Sequence, residues 1–212
     1  MVISTPNGET RQDILRAALK RFAHSGYAAT SVQQIVDDAR VSKPTLYYYF
    51  ADKAQLFQAL VNEAHDERHR RMQAAVARAK DVRCQLVEIL VVLFDYFREN
   101  RALMRISLAT AFAAPGEVPP GCDCADRCER NFEFVHSLIK KGLARGELNR
   151  RFDSRRLAFG FYGQANAHLM MHLLSAETPL DRKMAGQIVD LFFSGAGVKK
   201  IASRKKVSPK KL

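Results

Sequence analysis

The sequence predicts an all-α protein of about nine helices, with a three-helix N-terminal unit followed by a larger helical domain. Apolar residues recur at helical spacing through almost the whole chain, and typical N-cap residues precede most of these segments. No segment alternates apolar and polar residues as a half-buried strand does. The predicted domain limits are 1–53, 54–198 and, for a disordered basic tail, 199–212.

Composition and charge restrict the class of protein. The longest apolar run, 86–94, is interrupted by Glu88 and is too short to span a membrane, so no membrane association is expected. No signal peptide is recognisable, which predicts a cytoplasmic protein. The net charge is +12, and the tail supplies seven of these charges without any acidic residue. The tail is interpreted either as a non-specific attraction to DNA phosphates or as a solubilising end.

The first two helices are defined by caps and apolar stripes. Helix one is predicted over 10–25, with Thr10 as its N-cap and Gly26 just beyond its end. Helix two is predicted to follow Ser31, which forms a capping box with Gln34, and to end near residue 39.

The third helix, Ser42 to Phe50, is very short and carries an unusually aromatic outer face. Ser42 is the expected N-cap, and Pro44 occupies the first turn, where its missing N–H has no intrahelical partner anyway. Leu46 and Phe50 share the buried face, which turns Tyr47 and Tyr48 outward. Because only about three residues separate helices two and three, the pair is predicted to be a helix-turn-helix, whose second helix enters the DNA major groove.

Residues 10–60 resemble the N-terminal DNA-binding domain of the tetracycline repressor (TetR) family, in its AcrR-like form, of bacterial transcriptional regulators. The residues that carry this resemblance occur in the order and at the spacing of the family: Gly26, Tyr27, Ala29, Thr30, Ser31, Val32, Ile35, Val41, Ser42, Lys43, Thr45, Leu46, Tyr47, Tyr48, Tyr49, Phe50, Lys53, Leu56 and Phe57.

The resemblance implies roles on double-stranded DNA for ten residues. Those expected near phosphates are Ser31, Gln33, Ser42, Lys43, Tyr47, Tyr49 and Lys53; those expected at base edges are Pro44, Thr45 and Tyr48. Lys53 opens the next helix, where Asp52 and Gln55 are predicted to form a capping box. The chain departs from the family at Arg40, where glycine is usual, so a left-handed backbone there would be strained. The arginine is interpreted as a phosphate contact or as a solvated charge near Asp37 and Asp38.

The remaining helices are predicted over 53–79, 82–99, 102–113, 123–145, 154–175 and 181–195. The last two are apolar over much of their circumference, which indicates cover on several sides. In the resembling family they form a four-helix bundle with a second subunit, which implies a homodimer and a palindromic operator. The residues predicted at this interface are Phe161, Ala165, Leu169, Ile188, Leu191 and Phe192.

The middle helices are expected to enclose a site for a small effector molecule. Its predicted lining is Phe94, Phe97, Met104, Phe112, Phe132, Phe134 and His168, which suggests an apolar or aromatic ligand. The protein is then interpreted as a regulator, in particular a repressor, that the effector releases from DNA. For each single residue, ordinary core packing is the competing interpretation.

Three other features of the sequence allow a different interpretation. Cys122, Cys124 and Cys128 cluster at the start of a helix and form the basis of a metal- or thiol-sensing alternative, although their spacing matches no standard zinc module. His65 and His69, and again His168 and His172, form i,i+4 pairs of the kind that chelate a metal, although the first pair lies in a charged stretch that predicts solvated side chains. An architectural DNA-binding role would depend on the tail. No cofactor and no enzymatic activity are predicted, because no catalytic motif is recognisable.

Overall fold

The computed structural model describes residues 6–77, 79–111, 113–114, 117–119, 125–175 and 179–196, in which it contains nine helices and no strand. The helices are α1 (Pro6–Ala29), α2 (Val32–Ala39), α3 (Lys43–Tyr49), α4 (Lys53–Val76), α5 (Val82–Glu99), α6 (Arg101–Ala111), α7 (Ala125–Ala144), α8 (Ser154–Leu174) and α9 (Arg182–Ala196). The prediction of an all-α fold with a three-helix N-terminal unit is confirmed.

Helix α1 differs from its prediction at the start. It begins at Pro6, so Thr10 lies inside the helix and is not its N-cap. The predicted break at Gly26 is present, because Gly26 has φ 77° and ψ 171°, a conformation that residues with a Cβ rarely adopt. Thr30 stabilises this break, since its hydroxyl donates a 2.7 Å hydrogen bond to the Gly26 carbonyl.

Side-chain caps fix the positions of α2 and α4. Ser31 and Gln34 form the predicted capping box, in which each side chain accepts a hydrogen bond from the other residue's backbone N–H. Asp52 caps α4 by accepting from the Gln55 N–H at 2.7 Å. The predicted reciprocal bond is absent, because the Gln55 side chain accepts from the Ala51 N–H, one residue earlier. Both helix starts are therefore well defined.

Helix α4 belongs to both parts of the molecule. It starts at Lys53 against the N-terminal unit and continues for 24 residues into the body, where it packs against α5, α6 and α7. Helix α6 packs on α1 as well as on α4, and the Arg11–Glu63 ion pair (2.7 Å) joins α1 to α4. The predicted boundary at 53/54 therefore falls at the first turn of a continuous helix and stays a prediction.

The body forms around α5, whose inner face is fully buried. Phe94 and Phe97 lie at its centre, and α7, α8 and α9 surround it. Helix α7 approaches the start of α5 closely at Gly142, because a Cβ added there would lie 2.8 Å from Val82 Cγ1 and 3.2 Å from Leu148 Cδ1. A larger residue at this position would therefore have to displace the Val82 side chain.

We expect Gly142→Ala to lower the free energy of unfolding by up to about 2 kcal/mol, because overpacking the contact with Val82 costs about 1–3 kcal/mol and helix propensity offsets about 0.5–1 kcal/mol of it. The matched control is Gly186→Ala on α9, where a Cβ would meet nothing within 4 Å. That change should raise stability by about 0.5–1 kcal/mol through helix propensity. Urea denaturation of both variants measures the difference, and equal effects would contradict the packing argument.

Candidate nucleic-acid interface and interior site

The exposed face of α3 is the most distinctive surface of the N-terminal unit. Leu46 is completely buried, whereas Tyr47 is 49% exposed and Tyr48 74% exposed. Ser42, Lys43 and Pro44 are also exposed, and Thr45 and Tyr49 are partly exposed. One short helix thus presents an ammonium group, several hydroxyls and two aromatic rings to solvent. These are groups that contact phosphates and base edges.

Two hydroxyls of this face also serve the helix itself. Ser42 Oγ accepts a hydrogen bond from the Thr45 N–H at 3.2 Å, and the two hydroxyl oxygens lie 2.8 Å apart. On α2, Ser31 and Gln33 are exposed, and the Gln33 amide donates to Asp37 at 2.7 Å. Local hydrogen bonds thus hold these four side chains in place, and the side chains remain accessible to solvent.

Lys53 is bound inside the N-terminal unit. Its Nζ donates to the Tyr27 carbonyl at 2.9 Å and to the Thr30 carbonyl at 2.7 Å, and it lies 4.3 Å from the centre of the Tyr27 ring. Partial burial lowers the pKa of the ammonium group. Since an ammonium group has three N–H donors, one remains for a phosphate. Its structural role was not predicted from the sequence.

The turn between α2 and α3 is closed by a residue in the left-handed region. Arg40 has φ 54° and ψ 42°, and its N–H donates to the Asp37 carbonyl at the end of α2. Asp38 is held by Arg21 through two hydrogen bonds of 2.6 and 2.7 Å, which keeps the pKa of Asp38 below its usual value. Arg40 is exposed and forms no ion pair within the described part of the chain. The strain anticipated at this position is therefore present, and the guanidinium group is accessible.

Most residues predicted at a dimer interface lie in the protomer's own core. Five of the six are at most 7% exposed: Phe161, Ala165, Leu169, Ile188 and Phe192. They pack inward against the body, as the 5.6 Å contact between the Phe161 and Phe192 rings shows. Phe161, Ala165, Leu169 and Ile188 offer almost no surface to a second chain, so their assignment to the interface is corrected, whereas Phe192 still lines a groove between α8 and α9. Leu191 is 64% exposed and remains available.

Leu191 on α9, several residues of α8 and Phe152 just before α8 are exposed apolar residues. This surface, which we call the α8/α9 face, comprises Phe152, Phe159, Met170, Met171, Leu174 and Leu191, each more than 40% exposed. A groove of about 380 Å³ runs along part of it, between Phe152, Gly160 and Leu191. So much exposed apolar surface on two neighbouring helices is typical of an interaction site.

The predicted effector residues are only partly brought together. Phe97 lines a small central cavity between α4, α5, α7 and α8, which has room for about one water molecule, roughly 10 Å³. Phe94 and Met104 are buried in packing, Phe132 stacks near Phe159, and Phe134 packs its edge on His69. His168 donates from Nδ1 to the Gln164 carbonyl at 2.8 Å. Phe112 lies outside the described residues.

The central cavity has a polar side that was missed from sequence. Arg68 and Asn131 line it beside Met72, Phe97 and Tyr162. The sequence could have indicated this position of Arg68, because residues 65, 68 and 72 have the helical spacing of the inward face of α4.

His65 belongs to the same inward face, and the expectation that it is solvated was wrong. It is 3% exposed, and burial, together with the nearby Arg68, Arg127 and Arg130, lowers its pKa to about 3. His69 bonds to Asn131 at 2.9 Å instead of pairing with His65.

The sensor hypothesis gains no support from the described residues. They contain no group of three or more side chains suited to hold a metal ion. Cys128 is exposed, and its Sγ lies 4.0 Å from the ring nitrogens of His65. Cys122, Cys124 and the tail 199–212 lie outside the described residues. No helix of the described part is long and apolar enough to cross a membrane.

Comparison with known proteins identifies the N-terminal unit. Residues 14–60 match the family model of bacterial regulatory proteins of the TetR family. The helix-turn-helix regulator YuxN of Bacillus subtilis is 30% identical over 100 residues, 47% of this chain and 34% of YuxN. The transcriptional activator FasR of Mycolicibacterium smegmatis is 28% identical over 113 residues, 53% of this chain and 52% of FasR. The chain thus spans about a third of the length of YuxN and about half of the length of FasR.

Solved structures share the whole fold. The regulator FadR of Bacillus subtilis, in a crystal structure with stearoyl-CoA, superposes with a TM-score of 0.76 over 87% of this chain and 98% of FadR, at 17% identity. This likeness shows the fold. All three proteins are regulators of transcription, which supports the prediction that the chain is not an enzyme.

Substitution of Arg40 separates backbone strain from charge. Arg40→Gly should raise the free energy of unfolding by about 1 kcal/mol, because glycine adopts the left-handed conformation without a Cβ clash. The control Arg40→Ala removes the same charge but keeps the Cβ, so it should give no such gain. Urea denaturation compares the two, and equal stability would show that the turn is unstrained. Equal losses of DNA affinity in both variants would assign Arg40 a phosphate contact.

Proposed function

This chain is a member of the TetR family of bacterial regulatory proteins, and from that premise we propose that it is a dimeric, sequence-specific repressor. It binds a palindromic operator through two copies of α3 and leaves the operator when a small effector enters the body. Because it would bind chromosomal DNA, we place it in the cytoplasm, associated with the nucleoid.

The observation that carries DNA binding is the exposed face of α3. Two tyrosines, Tyr47 and Tyr48, project from a helix whose other side is anchored by the fully buried Leu46. Lys43 adds a positive charge at the start of the same helix. We assign Pro44, Thr45 and Tyr48 to base edges, and Ser31, Gln33, Ser42, Lys43, Tyr47, Tyr49 and Lys53 to phosphates.

The α8/α9 face supports the dimer. A second copy of the same face would cover Leu191 and Leu174 by two-fold symmetry, which accounts for their exposure in one chain. A two-fold dimer presents its two α3 helices to half-sites about one helical turn, roughly 34–36 Å, apart or a small multiple of that. The operator should therefore be palindromic.

Effector control is supported by the connection between the two parts of the molecule. Helix α4 lines the central cavity with Arg68 and Met72 and also holds the N-terminal unit through Lys53. A ligand that separates α4 from α8 would change the placement of α3. Release from DNA requires that the ligand bind this rearranged state more tightly than the DNA-bound state. The stearoyl-CoA complex of FadR supports a small-molecule effector for this fold.

The DNA-binding proposal is tested by selecting a DNA motif with the purified protein and measuring affinities by fluorescence anisotropy. Lys43→Ala should weaken binding about tenfold and reduce the salt dependence by about one charge, because one phosphate contact is lost. Tyr47→Ala should weaken binding as well, and Tyr47→Phe separates the hydroxyl from the ring. The control Arg105→Ala changes an exposed arginine on α6. The docking is wrong if Lys43→Ala and Tyr47→Ala both bind like the control.

The dimer is tested at its exposed leucine. Leu191→Glu places a charge in the centre of the proposed apolar contact, so sedimentation should shift from the mass of two chains to that of one. The control Ala109→Glu introduces the same charge at an exposed position on α6. A Leu191→Glu protein that remains dimeric would exclude the α8/α9 face as the interface.

A further inference from the structure

The central cavity contains an arginine whose charge has no counter-ion. Arg68 Nη2 donates to His65 Nδ1 at 2.6 Å, and Arg68 Nε is buried without any hydrogen-bond partner. His65 accepts this bond, so its ring is neutral and contributes no negative charge, in agreement with its lowered pKa. Within the described part of the chain, no carboxylate lies within 4 Å of Arg68.

The neighbouring acidic residues are already paired with other arginines. On α4, Glu63 binds Arg11, Asp66 binds Arg130, and Glu67 binds Arg70 and Arg71, each at 2.6–2.7 Å. None of these three carboxylates lines the cavity. Arg68 is partly exposed, but its Nε is buried, and a guanidinium group that loses part of its water without gaining an anion carries a desolvation cost. An anionic partner supplied from outside would remove it.

The other residues that line the cavity indicate the chemical type of this anionic ligand. Met72, Leu93, Phe97 and Leu169 supply apolar lining, and Asn131 and Asn166 line the cavity together with Arg68. Tyr162 lines the same space, and burial raises the pKa of its hydroxyl, so it stays neutral. A neutral phenol can donate a hydrogen bond to an anion. The cavity thus combines a cationic anchor with apolar walls.

We propose that the effector is an amphipathic carboxylate, whose head group binds Arg68 and whose apolar body lies against Met72, Phe97 and Leu169. This inference rests on the proposed function and narrows its effector from any small apolar molecule to an organic anion. Arg68 suits a carboxylate because its planar guanidinium group can form two parallel hydrogen bonds with it. The ligand must enlarge the cavity, because only about 10 Å³ is open in this structure.

The test measures binding to the full-length protein by titration calorimetry. The probes are octanoate, decanoate, dodecanoate and 4-phenylbutyrate, each paired with the alcohol that has the same apolar body. At least one acid should bind about tenfold or more tightly than its alcohol, because a charge-assisted hydrogen bond is formed only with the acid. Arg68→Met should remove this preference and leave alcohol binding within about twofold, whereas the exposed control Arg105→Met should keep it.

A second measurement separates a ligand anchor from a structural arginine. Without ligand, Arg68→Met should melt at a higher temperature than the parent, by roughly 2–4 °C, because an uncompensated charge is replaced by an apolar side chain. A lower melting temperature would show that Arg68 stabilises the folded protein and would overturn the proposal. It is equally overturned if no acid is preferred to its alcohol, or if Arg68→Met keeps the preference.

Measurements of operator binding distinguish a failure of this inference from a failure of the proposed function. Arg68→Met should bind the selected DNA motif like the parent and resist release by the acid that releases the parent. If the parent selects no motif, DNA regulation fails, while the calorimetric preference for the acid still decides the role of Arg68. If the motif is bound but no acid is preferred, only the carboxylate assignment fails.

Discussion

The ammonium group of Lys53 joins the N-terminal unit to the body of the protein. A cation at the first position of α4 is disfavoured by the helix dipole, and partial burial lowers its pKa further. The carbonyls of Tyr27 and Thr30, at the end of α1 after the break at Gly26, compensate for both effects. This contact helps to place α2 and α3, and hence the DNA-binding face, together with the Arg11–Glu63 ion pair and the Phe22–Phe57 ring contact.

Local signals allowed most of the N-terminal unit to be predicted. Ser31, Ser42 and Asp52 are caps whose hydrogen bonds reach only three residues along the chain, so sequence spacing defines them. The role of Lys53 depends on a contact across 26 residues, which no local pattern describes. The left-handed Arg40 was anticipated only because a glycine is usual at that place in the resembling family.

The interface and the interior site were harder to predict, for one physical reason. Helix α8 is apolar around most of its circumference, so periodicity shows that it is covered but not which side faces which neighbour. Phe161, which was assigned to a partner, packs inside the protomer, and Leu174 is exposed. Arg68 was overlooked because a charged residue in an otherwise charged stretch of α4 is normally solvated.

Because α4 is one continuous helix, a tilt at the cavity moves its N-terminal end by a distance that the helix length determines. About 22 Å of helix, at 1.5 Å per residue, separates Arg68 from Lys53. A tilt of about 9° around the cavity therefore displaces the N-terminal end by about 3.4 Å, the length of one base-pair step along a DNA strand. In the proposed dimer the two displacements combine, so a change in the interior smaller than a side chain would put the two halves of the proposed operator out of register.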